Sequence, residues 1–258
     1  MTDISLRQQN NRFNFAWVPE MLLHPRRCFQ RLAQLTSPHW LTPLLILSFA
    51  VVINVILVGQ IKNRAVLMGE ITYPPDFQYY TPEQQAQYTQ AIQSTQGPVF
   101  IYVLPIFAAL SGVWIGWLIL GGLLHLVTTL LGGRGSITLS LNIVAWASLP
   151  LAVREFVQII YLLITNKLIS NPGLSGFSQV SDSGLSIYLS EILALVDIYL
   201  VWQIMLLFLG VRISTGLNPI KSIFSITLAI LIILLIKSGI SYLGIMLGNL
   251  NITRPFFF

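Results

Sequence analysis

Four ionisable side chains, Arg154, Glu155, Glu191 and Asp197, stand within apolar runs long enough to cross a bilayer. One ionised group at mid-bilayer costs roughly 2.5–3.5 kcal/mol on insertion scales unless a partner or water meets it. Two chemistries answer that cost. In the first, Arg154 bridges Glu191 or Asp197 and latches two helices in register. In the second, the charges line a water-filled site in which Asp197 or Glu155 takes up a proton, a cation or a basic ligand. The helical rise puts Arg154 and Glu191 about 28 Å from the inner ends of their spans and Asp197 about 9 Å deeper, so the groups are level enough to pair.

The elements that must hold these charges are set by composition. Of the 258 residues, 55% are hydrophobic and 9% charged, and the mean hydropathy is +0.75. A soluble domain would carry roughly 25% charged residues. The expected fold is an all-α polytopic membrane bundle of five transmembrane helices, over about 41–59, 98–131, 137–164, 186–210 and 219–240, each long enough for a hydrocarbon core of about 30 Å. Residues 187–222 form its organising hairpin: an apolar run containing Glu191 and Asp197, an Arg/Gly/Asn/Pro turn, and a second apolar run.

Around this membrane domain, 41–248, residues 1–40 read as a cytoplasmic, basic and amphipathic segment, 60–97 as an outer loop, and 249–258 as a short tail. The N-terminal segment mixes Phe13, Phe15, Trp17, Met21, Leu22, Leu23 and Phe29 with Arg26, Arg27 and Arg31. That pattern suits an element lying on an anionic leaflet; a basic tail with no membrane contact is the other reading. Thr81-Pro82-Glu83 in the outer loop predicts a helix start, with Thr as N-cap and Pro at the first helical position.

The second span is longer than a crossing needs, so it either bends at Pro105 or protrudes. Ala108, Gly112 and Gly116 recur along it every four residues, a stripe that admits close helix approach, within the bundle or in a homodimer. Pro150 predicts a kink in the third span. The fifth is followed by either a helical extension or an interfacial tail ending in Phe256, Phe257 and Phe258.

Orientation follows from lysine and arginine. With the N-terminus inside, Arg7, Arg12, Arg26, Arg27, Arg31, Arg134, Arg212 and Lys221 are cytoplasmic, against Lys62, Arg64, Lys167 and Arg254 outside. The excess favours N-in and C-out. The first span is then a signal anchor with no cleavable leader before it. The net charge of +5 is dispersed along segment ends, with no stripe of interleaved aromatics, which excludes a nucleic-acid surface.

Catalytic chemistry finds no foothold. Cys28 is the only cysteine, so no intrachain disulfide and no cysteine-based zinc site can form. His125 has no Asp, Glu or Cys at ligand spacing. Gly132-Gly133-Arg134-Gly135-Ser136 lacks the Lys-Ser/Thr ending of a phosphate loop and reads as a tight turn. Asn251-Ile252-Thr253 matches a glycosylation triplet close to the membrane. No enzyme activity and no cofactor are expected.

Three stretches carry a family resemblance: HPRRCFQRL before the first span, GGRGSITLSLNIVAWASLP into the third, and DIYLVWQIMLLFLGVRISTGLNPIKS through the fourth and its turn. Together they resemble the five-helix Yip1 domain family in its prokaryotic branch, over about residues 25–236. The resemblance implies five spans, a cytoplasmic N-terminus and no catalytic residues. Eukaryotic relatives serve vesicle traffic through lipidated Rab GTPases, and their Asp-Leu-Tyr-Gly-Pro element is absent here. Prokaryotic relatives have no general assigned activity, and some accompany membrane transport systems as accessory proteins. The expected function is therefore a membrane accessory or scaffold protein of the prokaryotic plasma membrane, in contact with anionic lipid headgroups and assisting a partner complex such as an ABC-type exporter, or forming a homo-oligomer. A small channel or carrier using the intramembrane charges, and a lipid-organising protein using Arg26, Arg27 and Arg31, are the alternatives.

Overall fold

The computed structural model describes residues 13–67, 77–95, 97–178 and 184–250. Arg7, Arg12, Arg254, the Asn251 triplet and the terminal phenylalanines lie outside them. All regular elements among the described residues are helical. Two short helices, α1 (Trp17–Leu23) and α2 (Pro25–Gln34), precede the first span, α3 (Leu41–Leu67). The extramembrane helix α4 (Pro82–Thr95) starts where the Thr-Pro-Glu signal places it, through a reciprocal cap: Gln84 N–H donates to Thr81 Oγ1 and Thr81 N–H to Gln84 Oε1.

A π-helical turn, Val99–Val103, leads directly into α5 (Leu104–Leu130), which carries Pro105 at its N-terminal end. The third span is divided into α6 (Ile137–Ala147) and α7 (Leu149–Thr165). Pro150 cannot donate to its preceding turn, and Ser148 meets the interruption with its own hydroxyl, which donates to Ala145 O at 2.7 Å.

The apolar run over 186–210 is likewise two elements. Helix α8 (Gly184–Leu195) ends, and α9 (Ile198–Thr215) begins with Asp197 as N-cap, its Oδ1 accepting from Leu200 N–H at 2.8 Å. The fourth crossing is thus α9 alone, 18 residues long. Leu174 N–H donates to Leu193 O and Val196 O, so the Gly/Ser/Asn connection before α8 folds back on carbonyls that the interruption exposes. Helix α10 (Pro219–Leu250) continues unbroken through 32 residues, the extension rather than the interfacial tail. Five spans result, Leu41–Ala65, Val99–Leu130, Ile137–Thr165, Ile198–Thr215 and Pro219–Met246.

Packing is dense at the α1/α2 end. Phe29, Leu32, Cys28 and Met21 are wholly buried, and α2 docks on α9 and α6. The apolar face of this amphipathic helix therefore packs on protein and not on lipid. Gly210 makes the approach possible, since a Cβ there would stand 2.6 Å from Ile143 Cγ2 and 2.9 Å from Phe29 Cε1. Beside it, His39 is buried with its N–H on Asn142 Oδ1 at 2.8 Å, while Asn142 Nδ2 donates to Ser37 O and Trp146 Nε1 to His39 O. Trp17 stacks on His39 and tilts against Trp146.

The two turns on this face are also joined. Arg134 N–H donates to Thr215 O, Lys221 Nζ donates to Leu131 O, and Leu217 sits on Gly133. Gly132 and Gly216 take the left-handed conformation that each turn needs, at φ +87° and +68°.

Gly210→Val is expected to destabilise the protein by about 1–3 kcal/mol through overpacking against Phe29 and Ile143. Gly112→Ala, where a Cβ meets nothing within 4 Å, is expected to change little. Thermal melting in mild detergent compares the two. Burial, with Glu20 adding to it, pushes the Cys28 thiol up to about 12. A maleimide should therefore leave Cys28 unlabelled at pH 8 in the folded protein and modify it once the chain is unfolded in SDS.

Candidate functional site

Helix α7 carries Arg154, Glu155 and Gln158 within one turn, so all three leave the same side of the helix. The neighbouring elements supply their partners. Arg154 Nη2 pairs with Glu155 Oε1 at 3.0 Å, and Nη1 reaches Asp197 Oδ2 at 3.5 Å. From α3, Asn54 Nδ2 donates to Glu155 Oε2 at 2.8 Å and to Gln158 Oε1 at 2.9 Å. Glu155 is 8% exposed and has both carboxylate oxygens engaged. Asp197 does double duty, capping α9 with one oxygen and meeting Arg154 with the other.

Lys237 of α10 is exposed, and its ammonium runs past Gly116 of α5, 3.8 Å from where a Cβ would be. One cation, Arg154, thus meets two carboxylates, Glu155 and Asp197, in a cluster drawn from α3, α7 and the head of α9.

Glu191 stands apart from this group. It lies on α8, which packs against α10, and it accepts the hydroxyl of Ser241. Of the two partners open to Arg154, the structure pairs it with Asp197. On the stripe, Gly116 accommodates Lys237, Gly112 is open, and Ala108 is half-buried. The close helix contacts form elsewhere: Gly121 against Leu141, Gly59 against the Tyr102 ring, and Gly210 against Ile143. Arg31 is held by Glu20 at 2.7 Å, while Arg26 and Arg27 remain exposed on α2.

Asn54, Gln158 and Ser241 enter the polar contacts without having stood out as site candidates. Asn54 had a signal, a lone amide in the apolar run LLILSFAVVINVILVG, which must find a donor and an acceptor. Gln158 had another, its spacing of three and four residues from Glu155 and Arg154. Among the described residues no group of three or more His, Cys, Asp and Glu side chains is arranged to hold a metal ion.

Five apolar spans closed around a paired polar cluster define an integral, multi-pass helical membrane protein. The sequence profile of the Yip1 domain matches residues 20–240, and the chain belongs to the Yip1 domain family. The matched region takes in the docked helix α2 as well as the spans, so the N-terminal element is part of the family's unit. No curated protein and no solved structure matches the chain.

Asp197→Asn keeps a competent N-cap and removes the charge opposite Arg154, whereas Asp197→Ala removes both. The expected stability order is wild type, then Asn, then Ala, with about 1 kcal/mol between the variants from the cap alone. Thermal melting in detergent checks that order, and an Ala variant as stable as the Asn variant would remove the cap from the account.

Proposed function

We propose that this protein is a non-enzymatic accessory subunit that scaffolds or assists another membrane complex, with an ABC-type export system as the partner class. The N-terminus faces the cytoplasm of a prokaryotic cell in this reading, as the lysine and arginine distribution favours. The observation that carries it is the bareness of the second span. Its most apolar stretch is 11% buried within the fold, against 33–39% for the other four spans. Phe107, Ile115 and Leu118 project from it, and Gly112 leaves an open notch among them. A neighbouring helix can approach closely at such a notch through van der Waals packing.

A second reading, the small carrier, draws support from the openness of Lys237 and the partial exposure of Arg154 at the edge of the cluster. The latch reading draws more, because Arg154, Glu155 and Asp197 are joined to one another and Glu155 is further held by Asn54.

Mild-detergent purification of the tagged protein from its own host, with mass spectrometry of stoichiometric companions, is expected to recover a membrane complex. Gly112→Leu should abolish that recovery while leaving the melting temperature within about 2 °C, since a surface change away from packed contacts stays within about 0.5 kcal/mol. A homo-oligomer alone would make a second copy the occupant of the notch. Solute flux in liposomes that Asp197→Asn abolishes would establish the carrier reading in place of the accessory one.

A further inference from the structure

Where α1 turns into α2, the chain overhangs the side of α9. Leu23, His24, Pro25, Arg26 and Arg27 enclose, with Leu209 below them, an open cleft of about 400 Å³. Its floor is apolar: Leu209 packs against the core, and Leu23 beside it is 74% exposed. Its rim is cationic, with both arginine side chains exposed. The nearby acid, Glu20, is occupied by Arg31, and no ion pair among the described residues involves Arg26 or Arg27. Arg212, also exposed, follows Leu209 by three residues on the same side of α9 and adds a third positive charge at that flank.

Depth decides what such a cleft meets. Leu209 is six residues from the end of its span at Thr215, about 9 Å by the helical rise. The floor therefore lies alongside acyl chains, and the long arginine side chains at its rim can reach from there to headgroup level. A soluble anion would use the rim and have no use for the floor. A lipid uses both.

We propose that this cleft is a binding site for an anionic phospholipid of the adjoining leaflet, with its phosphate against Arg26 and Arg27 and the start of one acyl chain over Leu23 and Leu209. Guanidinium groups suit phosphate because their N–H fork matches two oxygens at once. Because α2 is seated on α9 and α6 through Phe29 and Leu32, the arginines are presented by a fixed element, and the site does not depend on the accessory role proposed above.

The test is native mass spectrometry of the intact protein in neutral detergent, titrated with phosphatidylglycerol or phosphatidylcholine. Phosphatidylglycerol is expected to bind the more tightly. The double variant R26Q/R27Q should weaken it about 10- to 30-fold, as two surface cations at about 1 kcal/mol each imply. Leu23→Ser, a change at a largely exposed position, should weaken it severalfold without lowering the melting temperature, and Arg64→Gln, at the far end of α3, should leave it unaltered. Equal affinity for the two lipids, or R26Q/R27Q binding like wild type, would overturn the proposal. So would displacement of the lipid by inorganic phosphate with undiminished potency in Leu23→Ser, which would assign the cleft to a free anion.

Discussion

An unpaired charge in hydrocarbon is too costly to persist, and Arg154 imposes that constraint on everything near it. Its guanidinium fixes where the head of α9 must stand, because Asp197 is the carboxylate within reach from another element. Asp197 can stand there only if the helix stops and restarts at that residue. The apolar run over 186–210 is therefore broken, and the connection through Leu174 returns to cover the carbonyls so exposed. Asn54 brings α3 to the same place through Glu155.

The opposite end of the bundle is held by different means. There the apolar contacts are dense, with Phe29, Trp146, Ile143 and Val211 wholly or almost wholly buried, and the polar groups are short-range locks around His39 and Asn142. Two glycine turns share backbone and lysine hydrogen bonds across the face. One end thus coheres by shape and the other by charge. Large-to-small changes and charge changes in this protein accordingly act at separate ends of the same helices.

The spans and their number were legible because hydropathy over twenty residues is a strong signal, and the interruption near Ser148 because proline announces it. The interruption at Asp197 was written in the chain as well. An Asp before Ile-Tyr-Leu is an N-cap pattern, but continuous apolarity on both sides concealed it. Glu191 shows the opposite failure: counting residues along one imagined helix set it level with Arg154, and once the helix divides, Glu191 turns to Ser241. The pairing of Glu20 with Arg31 crosses the turn between two short helices, which periodicity within one helix cannot anticipate. Which glycines would carry the close contacts was equally hidden, since Gly121 and Gly210 differ from Gly112 only in what stands opposite them.

The crossings are also unequal in length. Helix α9 offers 18 residues, about 27 Å, whereas the other four spans run from 25 to 32. A bilayer of uniform thickness cannot match walls of such different height. Lipid beside α9 must thin, or the longer helices must lean, and each response carries a modest elastic cost per ångström. The bundle thus meets the membrane with one short wall, at α9, set directly beside the taller third span that packs against it.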